Sequence, residues 1–155
     1  KPYQVGDFIN AQGEAGAVKE IQIFTTILIS LDNKTIIVPN GSIMNGNITN
    51  YSREGKVRVD ITIGISYDSN IKKAKGVLLS VLEKNAKVLS DPLPFVGVFE
   101  LADSSINLAI RPYCLPSDYW EVYFEVQEAC KLALDEAKIM IPFPQRDVHV
   151  YSKDK

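Results

Sequence analysis

The sequence predicts an α+β protein in which a small, all-β domain precedes a mixed α/β domain. Residues 3–57 contain five short strand patterns separated by tight turns and no helical pattern. Residues 57–140 have the order strand, helix, strand, strand, helix. The length of 155 residues suits one ordinary domain or two small ones, with enough apolar side chains for a real core.

The first domain is predicted to be a strongly bent sheet or small barrel, because five short strands follow one another without a helix. Ala17–Leu31 has the pattern of one long strand, rich in Val, Ile and Thr, that bends and serves two partners. Asp32–Lys34 is a hairpin turn. Pro39 ends a strand, and Asn40-Gly41 then turns the chain with Gly41 at positive φ. The remaining strands are predicted at Val5–Ile9, Thr35–Val38 and Asn47–Tyr51.

The second domain begins with the strictly alternating strand of residues 57–67, whose valines and isoleucines share one face. Asp68-Ser69 is predicted to cap the helix that follows, in which apolar residues recur at helical spacing from Ile71 to Leu82. Asp91–Pro94 breaks the chain before two further strands, which are predicted at Phe95–Ala102 and Ile106–Cys114.

A second helix is predicted to begin at Asp118, which forms a capping box with Glu121, and to end near Lys138. The element order therefore matches most of a ferredoxin-like split βαβ unit. Residues 141–145 form a stiff extended linker, because two prolines exclude a helix. The last strand pattern, Asp147–Tyr151, either completes this sheet or pairs with a partner chain.

Composition and motifs exclude most kinds of chemistry. The net charge of −2 gives no general attraction to nucleic acid or anionic lipid, and no basic stripe is interleaved with aromatic residues. The single histidine, His149, and two distant cysteines support neither a metal site nor a nucleophilic enzyme, and no phosphate-binding motif is present. We therefore predict no enzyme activity, no cofactor and no nucleic-acid partner. Cys114 and Cys130 favour two reduced, buried thiols over a disulfide.

An acidic stripe on the last helix is either a solvated face or a surface that influences passing ions; it comprises Glu121, Glu125, Glu128 and Asp135. No apolar run is long enough to span a bilayer, which takes about 18 residues or more. Because the sequence lacks an initial Met, we expect a processed or excised piece of a longer protein.

An ordered set of residues along the whole chain resembles the small-conductance mechanosensitive channels of the MscS family. In the first domain the set comprises Val5-Gly6-Asp7, Gly13 with Gly16, Ile21, Phe24 and Thr26, Asp32, Val38-Pro39-Asn40, Ile43, and Ile48 with Asn50. In the second it comprises Tyr67-Asp68, Ser104-Ser105-Ile106 and Ile141-Pro142-Phe143-Pro144-Gln145. No single tripeptide is specific, whereas the ordered set is.

The resemblance implies a homoheptamer and a division into three parts. These are an Sm-like β domain at 1–56, a ferredoxin-like α/β domain at 57–141, and a C-terminal linker and barrel strand at 142–155. Seven α/β domains would enclose a vestibule on the cytoplasmic side of the bacterial inner membrane, with side portals near Arg53–Arg58. The strand residues Val148, His149, Val150 and Tyr151 would join an axial barrel. The tension-sensing and pore helices would lie upstream of Lys1, outside this sequence, and would be its only membrane contact.

The resemblance also places the loop that contains Pro39, Asn40, Gly41 and Ile43 beneath the pore helices. Gly41 would allow close approach of a helix, and Ile43 and Met44 would give the loop an apolar surface. The alternative is a plain structural turn. A second functional alternative is a soluble ring-forming Sm-like or ferredoxin-like module that binds RNA or a small metabolite.

Overall fold

The computed structural model describes residues 1–154, and they form two compact units. The first unit is Lys1–Val57 and the second begins at Arg58. The fold is α+β with antiparallel sheets, as the sequence predicts.

The first unit is a five-stranded antiparallel sheet with the strand order β4-β3-β2-β1-β5. Its strands are β1 (Phe8–Ala11), β2 (Glu14–Ile21), β3 (Thr25–Ile29), β4 (Thr35–Pro39) and β5 (Ile48–Asn50). The core lies on one face and contains Tyr3, Ile9, Ala11, Val18, Leu28, Val38 and Ile43. Gly16 packs closely against β3, since a Cβ atom there would lie 2.7 Å from the carbonyl oxygen of Ile29.

The prediction of one long strand over Ala17–Leu31 is wrong. The chain reverses after Ile21, and Gln22 N–H donates to Thr25 O (2.8 Å), which closes a hairpin turn around Ile23 and Phe24. Neither residue is a usual turn former, so the sequence carries no local turn signal at this point. A hairpin at Asp32–Lys34 follows as predicted, with Asn33 at a φ of +63°.

The predicted turn at Asn40-Gly41 is also wrong, because these residues begin a short helix, α1 (Asn40–Met44). Pro39 precedes it in an extended conformation, with φ −60° and ψ 132°. Gly41 has no positive φ, and a Cβ atom there would have no neighbour within 4 Å. The backbone therefore does not require glycine at this position. The helix is held instead by Ile43, whose side chain is 1% exposed.

The second unit contains a three-stranded antiparallel sheet with the order β7-β9-β8 and a two-stranded sheet of β10 with β6. The strand β6 (Val57–Arg58) begins at the last residue of the first unit. The other elements are β7 (Ile61–Ile65), α2 (Ile71–Lys84), β8 (Phe95–Leu101), β9 (Ile106–Arg111), β10 (Tyr113–Cys114) and α3 (Tyr119–Glu136). The crossover from β7 through α2 to β8 leaves β9 between them, which is the arrangement of a split βαβ unit.

The two helices pack against each other and bury one face each. The buried residues are Ala74, Leu78 and Leu82 of α2 and Val122, Val126, Cys130 and Leu134 of α3. The buried residues of each helix recur at every fourth position, and those of α2 belong to the helical spacing that the sequence predicts for Ile71–Leu82. Lys73 Nζ donates to the carbonyl oxygen of Ala137 (3.0 Å), which satisfies a backbone acceptor just beyond the end of α3.

Both predicted helix caps are wrong. Asn70, rather than Asp68 or Ser69, caps α2 by accepting a hydrogen bond from Lys73 N–H (3.0 Å). Asp118 makes no side-chain capping bond to α3, which follows a 3₁₀ turn at Pro116–Asp118. Sequence spacing allowed the capping box, but the 3₁₀ turn satisfies backbone groups by other means.

The strand predicted at Ile106–Cys114 is divided at Pro112. The second helix ends at Glu136, within two residues of the predicted end near Lys138. Lys138 adopts a φ of +59°, which turns the chain away from the helix.

Residues 141–154 have no regular secondary structure, so the strand predicted at Asp147–Tyr151 is absent from the single chain. An isolated strand has no ladder partner, and a strand assignment requires one. Pairing with another chain therefore stays a prediction. Across residues 1–154, no helix combines the length and apolar character needed to cross a bilayer.

Candidate functional site

The first unit presents two large apolar side chains at the turn between β2 and β3. Ile23 is 86% exposed and Phe24 is 81% exposed, and we call these two residues the apolar tip. Single exposed apolar residues are common on protein surfaces. Here, however, two adjacent apolar residues occupy a tight turn, where Gly, Pro, Asn, Asp or Ser is usual. A break of a local rule of this kind is expected at a functional position.

Asn40 ties the apolar tip to helix α1. Its Nδ2 donates to the carbonyl oxygens of Gln22 (2.9 Å) and Ile23 (3.0 Å), and its backbone N–H donates to Phe24 O (2.8 Å). Its Oδ1 accepts from the hydroxyl of Thr26 (2.7 Å). One side chain therefore satisfies the carbonyls of a turn that lacks its own turn residues.

The structure places the predicted loop residues in three different environments. Pro39 is exposed at the end of β4, where a residue without an amide donor is tolerated. Gly41 is exposed with open space around it. Ile43 points into the core, so it offers no apolar surface to a partner, whereas Met44 is 70% exposed. The outward apolar surface near this loop is therefore formed by Met44 and the apolar tip.

A polar pocket of about 290 Å³ also lies in the first unit, near the first residues of the sequence. It is lined by Lys1, Pro2, Tyr3, Gln4, Asp7, Ser52 and Arg53. Its groups already bind the chain itself: Asp7 Oδ2 accepts from Gln4 N–H and Asn50 Nδ2, and Arg53 Nη1 donates to Lys1 O. These bonds attach the N-terminal segment to the end of β5.

In the second unit, apolar side chains are exposed along the edge strand β8. They are Phe95, Val98, Phe99 and Leu101, with exposed fractions between 45% and 68%. An exposed apolar edge strand is a template for pairing with another chain. The sequence contains a signal for this exposed apolar edge, because Phe95–Leu101 is apolar on both faces. A strand with one face in water alternates apolar and polar residues instead.

A second exposed apolar surface lies on the first half of α3. Tyr119, Trp120, Tyr123 and Phe124 form a cluster of stacked and edge-to-face rings with centroid separations of 5.0 to 6.4 Å. Trp120 is 45% and Phe124 is 63% exposed. Aromatic residues of this kind are enriched in the cores of protein interfaces.

The predicted barrel residues Val148, His149, Val150 and Tyr151 are all exposed. Val148 is 69% exposed, and Val150 and Tyr151 are each 87% exposed. The linker before them is anchored at one point, where Gln145 N–H donates to Ser104 Oγ (3.0 Å).

The acidic stripe of α3 is largely paired. Glu121 binds Lys87, which holds the pKa of the glutamate below its usual range, and Lys131 Nζ binds Asp135. Asn85 Nδ2 donates to Glu125 (3.3 Å). These contacts connect α3 to the residues that follow α2. They favour the interpretation of the stripe as a solvated face over that of a free acidic surface that influences ions.

Charges near the start of the second unit also form a paired set. Arg58 makes two hydrogen bonds to Asp60, which also lies 3.9 Å from Arg111 Nε. The guanidinium of Arg111 lies 5.9 Å from the ring centre of Phe99. Among residues 1–154, no group of three or more His, Cys, Asp and Glu side chains is placed to hold a metal ion.

The two cysteines are free and buried, as the sequence predicted. Burial raises the pKa of Cys130 to about 12, so its thiol is protonated and unreactive at neutral pH.

Comparison with known families divides the chain into two matches. Residues 1–53 match the mechanosensitive ion channel β-domain family, and residues 59–141 match the C-terminal domain family of the mechanosensitive ion channel MscS.

Individual relatives match over almost the whole chain. The small-conductance mechanosensitive channel of Edwardsiella ictaluri is 44% identical over 155 residues, which cover 100% of this chain and 54% of that protein. The corresponding channel of Helicobacter pylori is 30% identical and is covered to 56%. The chain thus spans about half the length of the curated relatives it matches.

Solved structures agree. The crystal structure of Helicobacter pylori MscS in the closed state matches 98% of this chain with a TM-score of 0.89 at 29% identity, and 60% of that chain is covered. Arabidopsis thaliana MSL1 shares the fold, with a TM-score of 0.74 at 21% identity.

Proposed function

The chain belongs to the MscS family of mechanosensitive ion channels, and we propose that it forms the vestibule of such a channel as a homoheptamer. The observation that supports this most strongly is the match to a closed-state MscS over 98% of the chain, with both domain families in the same order. The family is one of ion channels rather than enzymes, which agrees with the prediction of no catalytic activity.

In this proposal, the pore itself is built by membrane helices that belong to the full-length protein and lie outside this sequence. The chain spans only 54% of the length of its Edwardsiella relative, which leaves room for such helices. Membrane tension acts on the area of the transmembrane part, and a hydrophobic constriction of this kind closes by dewetting. The proposed location of the vestibule is the cytoplasmic side of the bacterial inner membrane.

Exposed apolar surfaces of the single chain support assembly. Apolar side chains are exposed on the edge strand β8, on the aromatic cluster of α3 and along the C-terminal segment. Exposed apolar surface of this kind is typical of sites that bind another protein chain. A closed ring of identical subunits covers the same surfaces on every copy and leaves no free edge. We propose that the C-terminal strands of the copies pair in an axial barrel, which would supply the ladder partners that Val148–Tyr151 lack.

The vestibule is proposed to filter solutes through side portals between subunits. The paired charges Arg58, Asp60 and Arg111 are the candidates for portal-lining groups, because they are partly exposed near the start of the second unit. The loop Pro39–Ile43 and the apolar tip are proposed to face the pore helices. The family match favours this channel over the alternative of a ring that binds RNA or a metabolite.

The proposal is tested by reconstituting the full-length protein into liposomes and applying suction to excised patches. We expect channel openings that appear only above a threshold tension. Full-length protein that inserts and assembles, yet gives no tension-dependent current, would contradict the proposed function.

A further inference from the structure

A continuous series of hydrogen bonds connects Tyr3 to the apolar tip. The Tyr3 hydroxyl lies 2.8 Å from Thr26 Oγ1, Thr26 donates to Asn40 Oδ1 (2.7 Å), and Asn40 Nδ2 reaches the carbonyls of Gln22 and Ile23. Thr26 is 0% exposed and Tyr3 is 9% exposed, so the first bond of the series is shielded from water. We call the side chains of Tyr3, Thr26 and Asn40 the relay.

The chemistry of the groups fixes the direction of the relay. A threonine hydroxyl has one hydrogen, and in Thr26 it is given to Asn40 Oδ1. The Tyr3 hydroxyl must therefore donate to Thr26 Oγ1. The two amide hydrogens of Asn40 then go to Gln22 O and Ile23 O. Hydrogen bonds that are all aligned in one direction polarise and strengthen one another.

The relay adds side-chain hydrogen bonds to a turn that the backbone bond from Gln22 N–H to Thr25 O closes. Ile23 and Phe24 give the backbone none of the local side-chain bonds that Asn, Asp or Gly-containing turns provide. The turn carbonyls are satisfied by Asn40 instead, and the orientation of the Asn40 amide is set by Thr26 and, through it, by Tyr3. Thr26 is also the one buried polar residue among residues 1–154, and such a residue is costly unless it is fully bonded.

We propose that Tyr3 and Thr26 are positioning residues that hold Asn40, and through it the apolar tip and α1, in one orientation relative to the N-terminal segment. The relay thereby joins the segment that enters the domain to the surface proposed above to face the pore helices. The consequence for gating depends on the proposed function, whereas the positioning of the tip is a property of this chain and is tested on it alone.

The first experiment measures amide hydrogen exchange of the 155-residue chain by NMR. Tyr3→Phe and Thr26→Val each remove one hydroxyl and keep the shape of the side chain. The reporters are the amides of Gln22 and Asn40, which bond to Thr25 O and Phe24 O within the turn. Tyr51→Phe, which removes a hydroxyl from a 41% exposed ring, is the matched control.

We expect both relay variants to speed exchange at the two reporter amides by about fivefold or more, since a buried hydrogen-bonding group loses its partner. The Ser30 amide, which bonds to Lys34 O in the turn between β3 and β4, should keep its wild-type rate, as should all amides in Tyr51→Phe. The reporter amides should exchange no faster in the double variant than in Thr26→Val, because Tyr3 reaches Asn40 only through Thr26. Thr26→Ser, which keeps the hydroxyl, should restore slow exchange.

Unchanged reporters in Tyr3→Phe, or an equal acceleration of the reporters and of Ser30, would overturn the relay. The second result would mean that the hydroxyls support the sheet as a whole. Failure of Thr26→Val to fold leaves Tyr3→Phe and Thr26→Ser to decide between these outcomes.

A second experiment carries Tyr3→Phe into the full-length protein and records tension-activated currents. We expect a changed threshold or inactivation rate with wild-type conductance. Currents identical to wild type, despite faster exchange at the reporters, would overturn the link to gating and leave the positioning of the tip intact. Absence of current in the wild-type protein would instead contradict the proposed function.

Discussion

A tryptophan at position 41 separates the folding role of the Pro39–Ile43 loop from its proposed role against the pore helices. A Cβ atom at Gly41 would have no neighbour within 4 Å, and the residue lies in α1 without a positive φ. A larger side chain therefore meets no clash in the single chain. Glycine is the least favourable non-proline residue in a helix, by about 0.8–1.0 kcal/mol relative to Ala, and tryptophan lies between the two.

The expected change in the unfolding free energy for Gly41→Trp is therefore small, within about 0.5 kcal/mol of zero. Gly76 in α2 is the matched control, because it is also exposed, lies in a helix and has open space around its Cβ position. Urea denaturation of the two variants should give midpoints close to the wild-type value. In patch-clamp recordings of the full-length protein, Gly41→Trp should shift the threshold tension or the rate of inactivation, and Gly76→Trp should not.

Two results would refute this reasoning. Wild-type currents from Gly41→Trp would mean that the loop is a structural element with no helix close to it. A loss of stability well above 1 kcal/mol in the isolated chain would mean that the space at Gly41 is not open.

Four further predictions concern the chain itself. Gly16→Ala should lower the urea midpoint by an amount that corresponds to about 1–3 kcal/mol, because the added Cβ meets backbone atoms of Ile29, whereas Gly41→Ala should leave it equal or raise it. Leu78→Ala should cost about 2–5 kcal/mol, because the side chain lies on the buried face of α2 and is 0% exposed, and a cost below 1 kcal/mol would contradict that burial. Lys87 lowers the pKa of Glu121. The stability that this ion pair adds is therefore present above the usual titration range of glutamate and is lost as the pH falls through the lowered pKa. The unfolding midpoints of wild type and Glu121→Gln should differ at neutral pH and converge in acid. Cys130 should resist alkylation in the folded chain at pH 8 and react once the chain is unfolded; rapid labelling of the native protein, followed by mass spectrometry, would contradict its burial.

The sequence predicts those helices and strands in which the spacing of apolar residues matches the spacing of the buried side chains. The alternation predicts one strand over residues 57–67, and the structure divides it into β6 (Val57–Arg58) and β7 (Ile61–Ile65), which belong to different sheets. The three- and four-residue spacing from Ile71 to Leu82 predicts α2, as observed. In β7 and α2 one face is buried in the chain's own core, so the pattern contains the information that the fold uses.

The errors arose where long-range contacts replace local signals. The sequence predicts the middle of a strand at Ile23 and Phe24, because β-branched and aromatic residues favour strands. The side-chain groups that stabilise the observed turn come instead from Asn40. The sequence predicts a turn at Asn40, whereas this residue begins α1. The apolar tip has no local sequence signal, because the side chain that satisfies the turn carbonyls belongs to Asn40, which is distant in sequence.

The C-terminal residues illustrate a different limit. Val148 and Val150 alternate with polar residues as a strand does, yet the single chain gives them no partner. We therefore propose that the pattern belongs to an interface, which would be complete only when other copies are present.

The number of copies in the assembled protein tests the central claim most directly. Native mass spectrometry of the full-length protein, released from detergent or lipid nanodiscs, should give the mass of a heptamer. A monomeric full-length protein would contradict the account of exposed apolar edges that identical subunits cover, and a ring of a different number of copies would contradict the proposed heptamer.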